Sequence, residues 1–251
     1  MNDLLATIKK TLFVPLHPAG RPFILGAVLL ALGLHEVGPD AGFVGIVLLA
    51  WCIYFFRCPV RVTPVRKGLI ISPADGLVQM ITEVPLPPEL ADAKEDGDKL
   101  FSSEKLTRVS VFLNVFDVHV NRIPADGEIK KVVYRPGKFF NASLDKASVD
   151  NERSTVLMKL NGFDSSIVFV QIAGLVARRI ICKLAAAQAV KAGEIYGLIR
   201  FGSRVDIYLP PGVNPLVCVG QRMIGGETVI ADFAANEDAR AGETRPLEIR
   251  E

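Results

Sequence analysis

Histidine and cysteine are scarce in this 251-residue chain, which has three of the first and four of the second. The cysteines (Cys52, Cys58, Cys182 and Cys218) form no CxxC and no Cys/His cluster at zinc-ligand spacing, so no metal site is expected. They read as ordinary reduced thiols of a cytosol-facing protein. The chain also lacks GxGxxG, GxxxxGK and strand-helix alternation, which excludes a nucleotide-binding parallel sheet. It has no GxSxG elbow, and no cysteine has a histidine near it in sequence. A surplus of one charge is missing too: 29 Lys and Arg stand against 27 Asp and Glu. The small excess lies at the start. Lys9, Lys10, Arg21, Arg57, Arg61, Arg66 and Lys67 face only Asp3, Glu36 and Asp40, leaving 22 basic against 24 acidic residues after Lys67. A nucleic-acid-binding body would need a basic surface of its own, so no nucleic-acid partner is expected.

Apolar side chains are abundant, at 50% of the residues, which excludes a disordered chain. Two runs, Pro22–Leu34 and Ala41–Phe56, are each somewhat short for the roughly 20 residues a membrane-crossing helix needs. The link from His35 to Asp40, HEVGPD, carries Gly38 and Pro39 and lets the runs fold back as a helical hairpin. A signal peptide does not fit, because a second run follows the first and ends in Trp51, Tyr54, Phe55 and Phe56. Basic residues outside both ends keep them on the cytoplasmic side by the positive-inside rule. The alternative is a buried hairpin of a soluble protein, but nothing later in the chain is apolar enough to cover it. Residues 1–58 are therefore expected to be a membrane-associated hairpin on the cytoplasmic face of the cell membrane.

From residue 59 the pattern changes to short alternating runs rich in Val, Ile and Phe, punctuated by Gly, Pro, Asp and Asn. That predicts a mainly β, antiparallel sandwich or barrel-sandwich domain over 59–251. Strands are expected at Gly68–Ile71, Gly76–Val84, Thr107–Leu113, Gly127–Tyr134, Ser154–Leu160, Ser166–Ile172 and Arg204–Tyr208, with further strands in VDIYLP and TVIADF. Ala185–Ala192 reads as a short helix or loop, and Pro88–Lys105 as a solvated acidic loop. The tetrapeptide PADG occurs twice, at Pro73–Gly76 and Pro124–Gly127, each time before a strand. Pro-x-Asp-Gly is first of all a turn, and two copies suggest a duplicated sandwich. One further dipeptide, Gly202-Ser203, could let a hydroxyl reach the preceding carbonyl, since glycine tolerates the tight turn and leaves that carbonyl unhindered. Alone it is as readily a plain turn.

Context decides between these readings. ISPADGLV (71–78), FLNVFDVHVNRIPADGEI (112–129), PGKFFNASLDKASVDNERS (136–154), VQIAGLVARRI (170–180), GLIRFGSRVDIYLP (197–210) and GQRMIGGETVIA (220–231) together resemble the short form of the phosphatidylserine decarboxylase family of self-cleaving pyruvoyl enzymes. The resemblance implies cleavage between Gly202 and Ser203, giving chains 1–202 and 203–251 that stay together in one β fold. Ser203 would become a covalent pyruvoyl group, and phosphatidylserine in the membrane would be the substrate. It also implies a catalytic Asp-His-Ser set of Asp75, His119 and Ser203, in which Asp75 orients and charge-stabilises His119. Asp126, in the second PADG, is the rival of Asp75.

There is one departure from the family pattern. Longer members carry a second histidine three residues after the first, where this chain has Arg122. Arginine cannot act as a base near neutral pH, so either His119 serves both self-cleavage and later proton donation, or water takes one role. Arg122 is a candidate for holding the substrate phosphate or carboxylate, or equally a structural partner of Asp117 or Asp126. Phe140, with Phe139 and Lys138, resembles a segment near the lipid-facing mouth. Arg178 and Arg179 either bind phosphate or pair with acids. A homodimer is left open. Two rivals remain: a pyruvoyl decarboxylase of a soluble amino acid, and a non-catalytic membrane scaffold.

Overall fold

The computed structural model describes residues 14–93, 97–140, 142, 150–175, 179–200, 202–235 and 237–243. Lys9, Lys10 and Arg178 lie outside them. The two apolar runs form α1 (Arg21–Val37) and α2 (Pro39–Phe55), separated only by Gly38, with Pro39 in the first turn where its missing N–H costs nothing. Small residues let the helices close on one another. A Cβ on Gly45 would meet the Cα of Ala31 at 2.7 Å, and one on Gly42 would meet His35. Pro18–Val37 is long and apolar enough to cross a membrane, while Pro39–Phe55 is shorter. Leu25, Leu29, Leu32, Phe43 and Ile46 point outward and are exposed, so the body leaves the upper hairpin uncovered.

The body is built on one antiparallel sheet of eight strands. They are β2 (Gly76–Val84), β3 (Leu106–Leu113), β5 (Gly127–Arg135), β6 (Arg153–Leu160), β7 (Ser166–Ala173), β9 (Ala189–Val190), β11 (Ser203–Leu209) and β12 (Arg222–Met223). Their spatial order is β12-β2-β3-β11-β7-β6-β5-β9. A second sheet pairs β4 (Val120–Arg122), β10 (Ile195–Ile199) and β8 (Ile180–Cys182), and a ribbon pairs β1 (Leu69–Ile71) with β13 (Val229–Asp232). Alternation along β11 sends Val205, Ile207 and Leu209 into the main core with Val111, Phe169 and Met158. Tyr208 and its neighbours Val168, Val170 and Ile172 face the opposite way into a second core.

The expected β architecture is present, and the seven predicted strands lie within one or two residues of β1, β2, β3, β5, β6, β7 and β11. The PADG turns occupy equivalent places. β2 and β5 stand second from opposite edges of the sheet. Ile71 N–H donates to the Pro124 carbonyl, and Arg122 N–H donates to that of Pro73. Cβ atoms on Gly76 and Gly127 would each press on a neighbouring strand's carbonyl at 2.2 Å, which only glycine avoids.

One reading needs correction. Pro88–Lys105 is not a simple solvated loop: its described part holds two 3-10 turns, Pro88–Leu90 and Lys99–Ser102, whose Leu90 and Leu100 are buried in the second core. Asp98 fixes it from within, accepting from the N–H groups of Leu100 and Ser166, the Ser166 hydroxyl and Lys159. The net acidity hid these spaced apolar anchors. Ala185–Ala192, read as a short helix or loop, is a loop that carries β9, held by pairing with β5.

Candidate functional site

Ser203 is the first residue of the central strand β11, paired with Leu113 of β3 on one side and Ala173 of β7 on the other. It is fully buried, and its hydroxyl finds no hydrogen-bond partner among the described residues. An unpartnered hydroxyl at 0% exposure is unfavourable and calls for an explanation. The preceding Gly202 takes φ +67°, in the left-handed region that favours glycine. A Cβ on Gly174, just beyond β7, would stand 2.1 Å from the Gly202 carbonyl oxygen, so that carbonyl lies directly against the Gly174 backbone.

The histidine arrives by a turn. After β3 the chain reverses through Asn114–Asp117, where Asp117 N–H donates to the Asn114 carbonyl, and the Asn114 and Asp117 side chains accept from Phe116 and Asn114 N–H. The reversal lays His119 over the start of β11. His119 is fully buried; its Nε2 accepts from Gly202 N–H at 3.3 Å, and its Nδ1 lies 3.0 Å from the Asp117 carbonyl. That carbonyl can only accept, so Nδ1 carries the proton and the basic lone pair sits on Nε2, beside the Gly202-Ser203 bond. Burial lowers the His119 pKa to about 4, opposed by the hydrogen bond to Asp117 and assisted by the Arg57 charge. The imidazole is therefore neutral, and a base, across the physiological range.

Asp75, expected to orient and charge-stabilise His119, accepts from other groups. Asp75 turns one carboxylate oxygen to Arg61 at 2.6 Å and the other to Gly225 N–H at 2.8 Å. Burial raises its pKa, while Arg61 and the Gly225 N–H pull it back. Orientation of His119 falls instead to the backbone of Asp117, whose own side chain pairs with Arg222. Asp126 is exposed and accepts from Ala192 N–H, away from Ser203. Arg122 pairs with neither Asp117 nor Asp126: it donates to the carbonyls of Gly193 and Pro59, bracing the link between hairpin and body.

Phe140 is exposed, with Lys138 over its ring at 5.7 Å. The buried Asn151 holds this segment, donating to the carbonyls of Phe140 and Ala173 and accepting from Phe140 N–H. Asn151 thus ties the Phe140 loop to the strand position opposite Ser203. Arg204 and Asp206, both at 0% exposure on the outer face of β11, form a two-pronged ion pair at 2.7 and 2.8 Å. Arg179 is exposed, its carbonyl accepting from Arg200 N–H. A cavity of about 630 Å³ lined by Arg66, Lys67, Asn161 and Lys191 has none of Ser203, Gly202, His119 or Asp75 in its lining.

Sequence reasoning missed Gly174, Asn151, Arg61 and Phe55, the last of which packs its ring on His119 with centroids 4.2 Å apart. Gly174 and Asn151 stood inside the quoted motifs VQIAGLVARRI and PGKFFNASLDKASVDNERS, but nothing local signals a role. Phe55 reads from sequence only as one of the hairpin's aromatics.

Comparison with known proteins gives one consistent result. The family model described as Phosphatidylserine decarboxylase matches residues 48–231. A phosphatidylserine decarboxylase proenzyme of Paramagnetospirillum magneticum is 54% identical over 239 residues, 95% of each chain. One of Cereibacter sphaeroides is 49% identical over 97% of this chain and 99% of its own. One of Rickettsia felis is 52% identical over 91% and 94%.

Proposed function

The chain belongs to the phosphatidylserine decarboxylase family, and on that premise we propose that it decarboxylates phosphatidylserine to phosphatidylethanolamine after cleaving itself between Gly202 and Ser203. The observation that carries the reading is the contact between a buried, neutral His119 and Gly202 N–H, beside a buried hydroxyl with no other described partner.

These residues fit a group made at position 203. The His119 Nε2 lone pair exchanges the Gly202 N–H for the Ser203 O–H and accepts its proton as the oxygen attacks the Gly202 carbonyl. The imidazolium returns that proton to the Ser203 nitrogen as the Gly202-Ser203 amide breaks, leaving an ester through the Ser203 oxygen and a free amine on residue 203. The neutral His119 then takes the Ser203 α-proton as the Gly202 carboxylate leaves, giving dehydroalanine, which takes up water and releases ammonia. The resulting pyruvoyl carbonyl supplies the electron sink that decarboxylation requires. Dehydration of the site by Phe55, Val118 and Val120 keeps His119 unprotonated, with its Nε2 lone pair free for the first step. At a pKa of about 4 it is a poor proton reservoir near pH 7, so the later proton donation needs a wetter His119 or a water molecule.

Asp75 acts in this reading through Arg61 and the Gly225 backbone, holding charge balance near the chamber. Phe140 is assigned to the lipid-side mouth, and Arg122 to bracing the Pro59 link, with substrate phosphate as its further partner. Residues 1–58 form the membrane unit and 59–251 the catalytic unit, working at the cytoplasmic face. The exposed apolar hairpin supports this placement, because phosphatidylserine can keep its acyl chains in the bilayer while its head group enters the body.

Intact mass of the purified protein tests the reading. Cleavage with pyruvoyl formation gives chains 1–202 and 203–251 whose masses sum to about 1 Da above the precursor, since water is gained and ammonia lost; plain hydrolysis gives about 18 Da. Ser203→Ala should remain one chain. Persistence of uncleaved wild-type chain would refute self-cleavage and favour a scaffold. Release of carbon dioxide from free serine but not from the lipid would refute the substrate.

A further inference from the structure

The hairpin does not stop at the surface of the body. The last turn of α2 enters it: Cys52, Phe55 and Phe56 are buried against Val118, Val120 and Leu198, with Phe23, Ile24 and Ala27 of α1 closing the cluster. Val118 and Val120 flank His119 in sequence, and Leu198 lies on β10, which leads to Gly202. Backbone bonds pin the same turn from outside. His17 N–H donates to the Phe56 carbonyl at 2.9 Å, and Cys58 N–H to that of Pro15 at 2.6 Å. Arg57 stacks on Tyr54 at 3.7 Å and donates to the Phe116 carbonyl at 2.7 Å, tying the hairpin base to the turn that delivers His119.

Two hydrogen bonds hold the His119 ring in its own plane, through Asp117 and Gly202. Neither restrains it perpendicular to that plane. That restraint comes from Phe55, whose fully buried ring lies at 35° to the imidazole with centroids 4.2 Å apart. We propose that Phe55 is a positioning residue for His119, so that the seated base of the membrane hairpin, and not the β body alone, completes the self-cleavage site. The inference rests on the reading of His119 as the base for Ser203. It makes maturation depend on correct docking of the hairpin base on the body.

The physical consequence is specific. Replacing the ring with a smaller side chain opens one face of the imidazole to water, which stabilises the imidazolium and loosens the ring. The charged groups around it are few. Arg57, from the hairpin base, repels a proton on His119; Asp117, from the turn, is paired with Arg222; Asp75, from the β1-β2 turn, is paired with Arg61. A change at Phe55 removes none of these charges.

Pulse-labelled precursor made by cell-free translation with phosphatidylglycerol-phosphatidylethanolamine vesicles, then shifted to buffers from pH 4 to 8, reads the rate of conversion against pH. Phe55→Leu, which nearly conserves apolar volume, should move the acid limb of that profile up by about one unit, slowing conversion about twofold at pH 5 and about fivefold at pH 4. Phe55→Ala should move it further. Phe56→Leu is the control, since Phe56 is equally buried in the same cluster, edge-on to Phe55 at 5.0 Å and stacked on Phe23 at 5.3 Å, while the ring on His119 is that of Phe55. It should leave the limb in place even where it lowers thermal stability. An unmoved limb in Phe55→Leu, or an equal movement in Phe56→Leu, overturns the proposal. If Phe55→Ala fails to fold, Phe55→Leu decides. Failure of the underlying reading looks different: the wild-type chain itself would not convert at any pH, or Ser203→Ala would still be cleaved.

Discussion

Gly174→Ala isolates the geometry of the scissile carbonyl from everything else in the chamber. Gly174 is not among the glycines with positive φ, so alanine meets no backbone strain there. Its new Cβ would instead stand 2.1 Å from the Gly202 oxygen, 3.0 Å from its carbonyl carbon and 3.3 Å from Ala142 Cβ. Because real Cβ contacts do not fall below 3.0 Å, the carbonyl and the Gly174 backbone must separate by at least about 0.9 Å. Neither neighbour is the loose end of a flexible side chain, so part of that movement falls on the bond to be cleaved. A misplacement near 1 Å in a reacting group costs about 10²-fold in rate, which sets the expected slowing of conversion at about ten- to a hundredfold. The assay is a time course of precursor disappearance by gel and intact mass. Fold integrity is followed by thermal unfolding of Gly174→Ala in a Ser203→Ala background, which keeps both chains joined. Conversion of Gly174→Ala within twofold of the parent rate would refute the placement of the Gly202 carbonyl against this backbone.

The pH behaviour of the parent follows from His119. With its pKa at about 4, about 90% of the imidazole is still neutral at pH 5, against about 3% for an ordinary histidine. Conversion should therefore be nearly as fast at pH 5 as at pH 7; a drop of tenfold or more at pH 5 would contradict this. The same shift acts on stability. Below pH 6.5 the unfolded chain takes up a proton on His119 that the folded one refuses until about pH 4. The contribution is complete above pH 6.5 and is lost as the pH falls to 4, by up to about 1.4 kcal/mol per unit. Thermal melts of Ser203→Ala should show this loss, and adding His119→Gln should remove part of it. Asn151→Ala leaves two carbonyls and one N–H without their partner in a buried place and should cost about 2 kcal/mol. A loss under about 0.5 kcal/mol in denaturant titration would show that water replaces the amide.

Much of this protein is local in origin. Period-two alternation places the strands because burying one face of a strand demands it, and the one Gly38-Pro39 step folds the apolar runs into a hairpin. The Gly202-Ser203 step and the single histidine of the body are likewise visible in the order of residues, and the family motifs connect them. Short strands such as β4, β8 and β12 were not legible, because two or three residues carry no period and exist only through their partners. The acidic 88–105 segment misled for a similar reason: composition averages over Leu90, Leu100 and Asp98, whose burial depends on strands far away in sequence.

The site divides the same way. Sequence determined which side chains could do chemistry, since a hydroxyl, an imidazole and a glycine have those properties wherever they stand. Tertiary structure decided what they do to one another. It gave the orientation of His119 to the Asp117 carbonyl and paired Asp75 with Arg61. It set Gly174 against the Gly202 carbonyl and brought Phe55 onto the imidazole. Those contacts join residues up to 64 positions apart, His119 and Phe55 among them. Only packing of the whole chain, with water excluded between its parts, fixes such distances and turns a common histidine into a buried base.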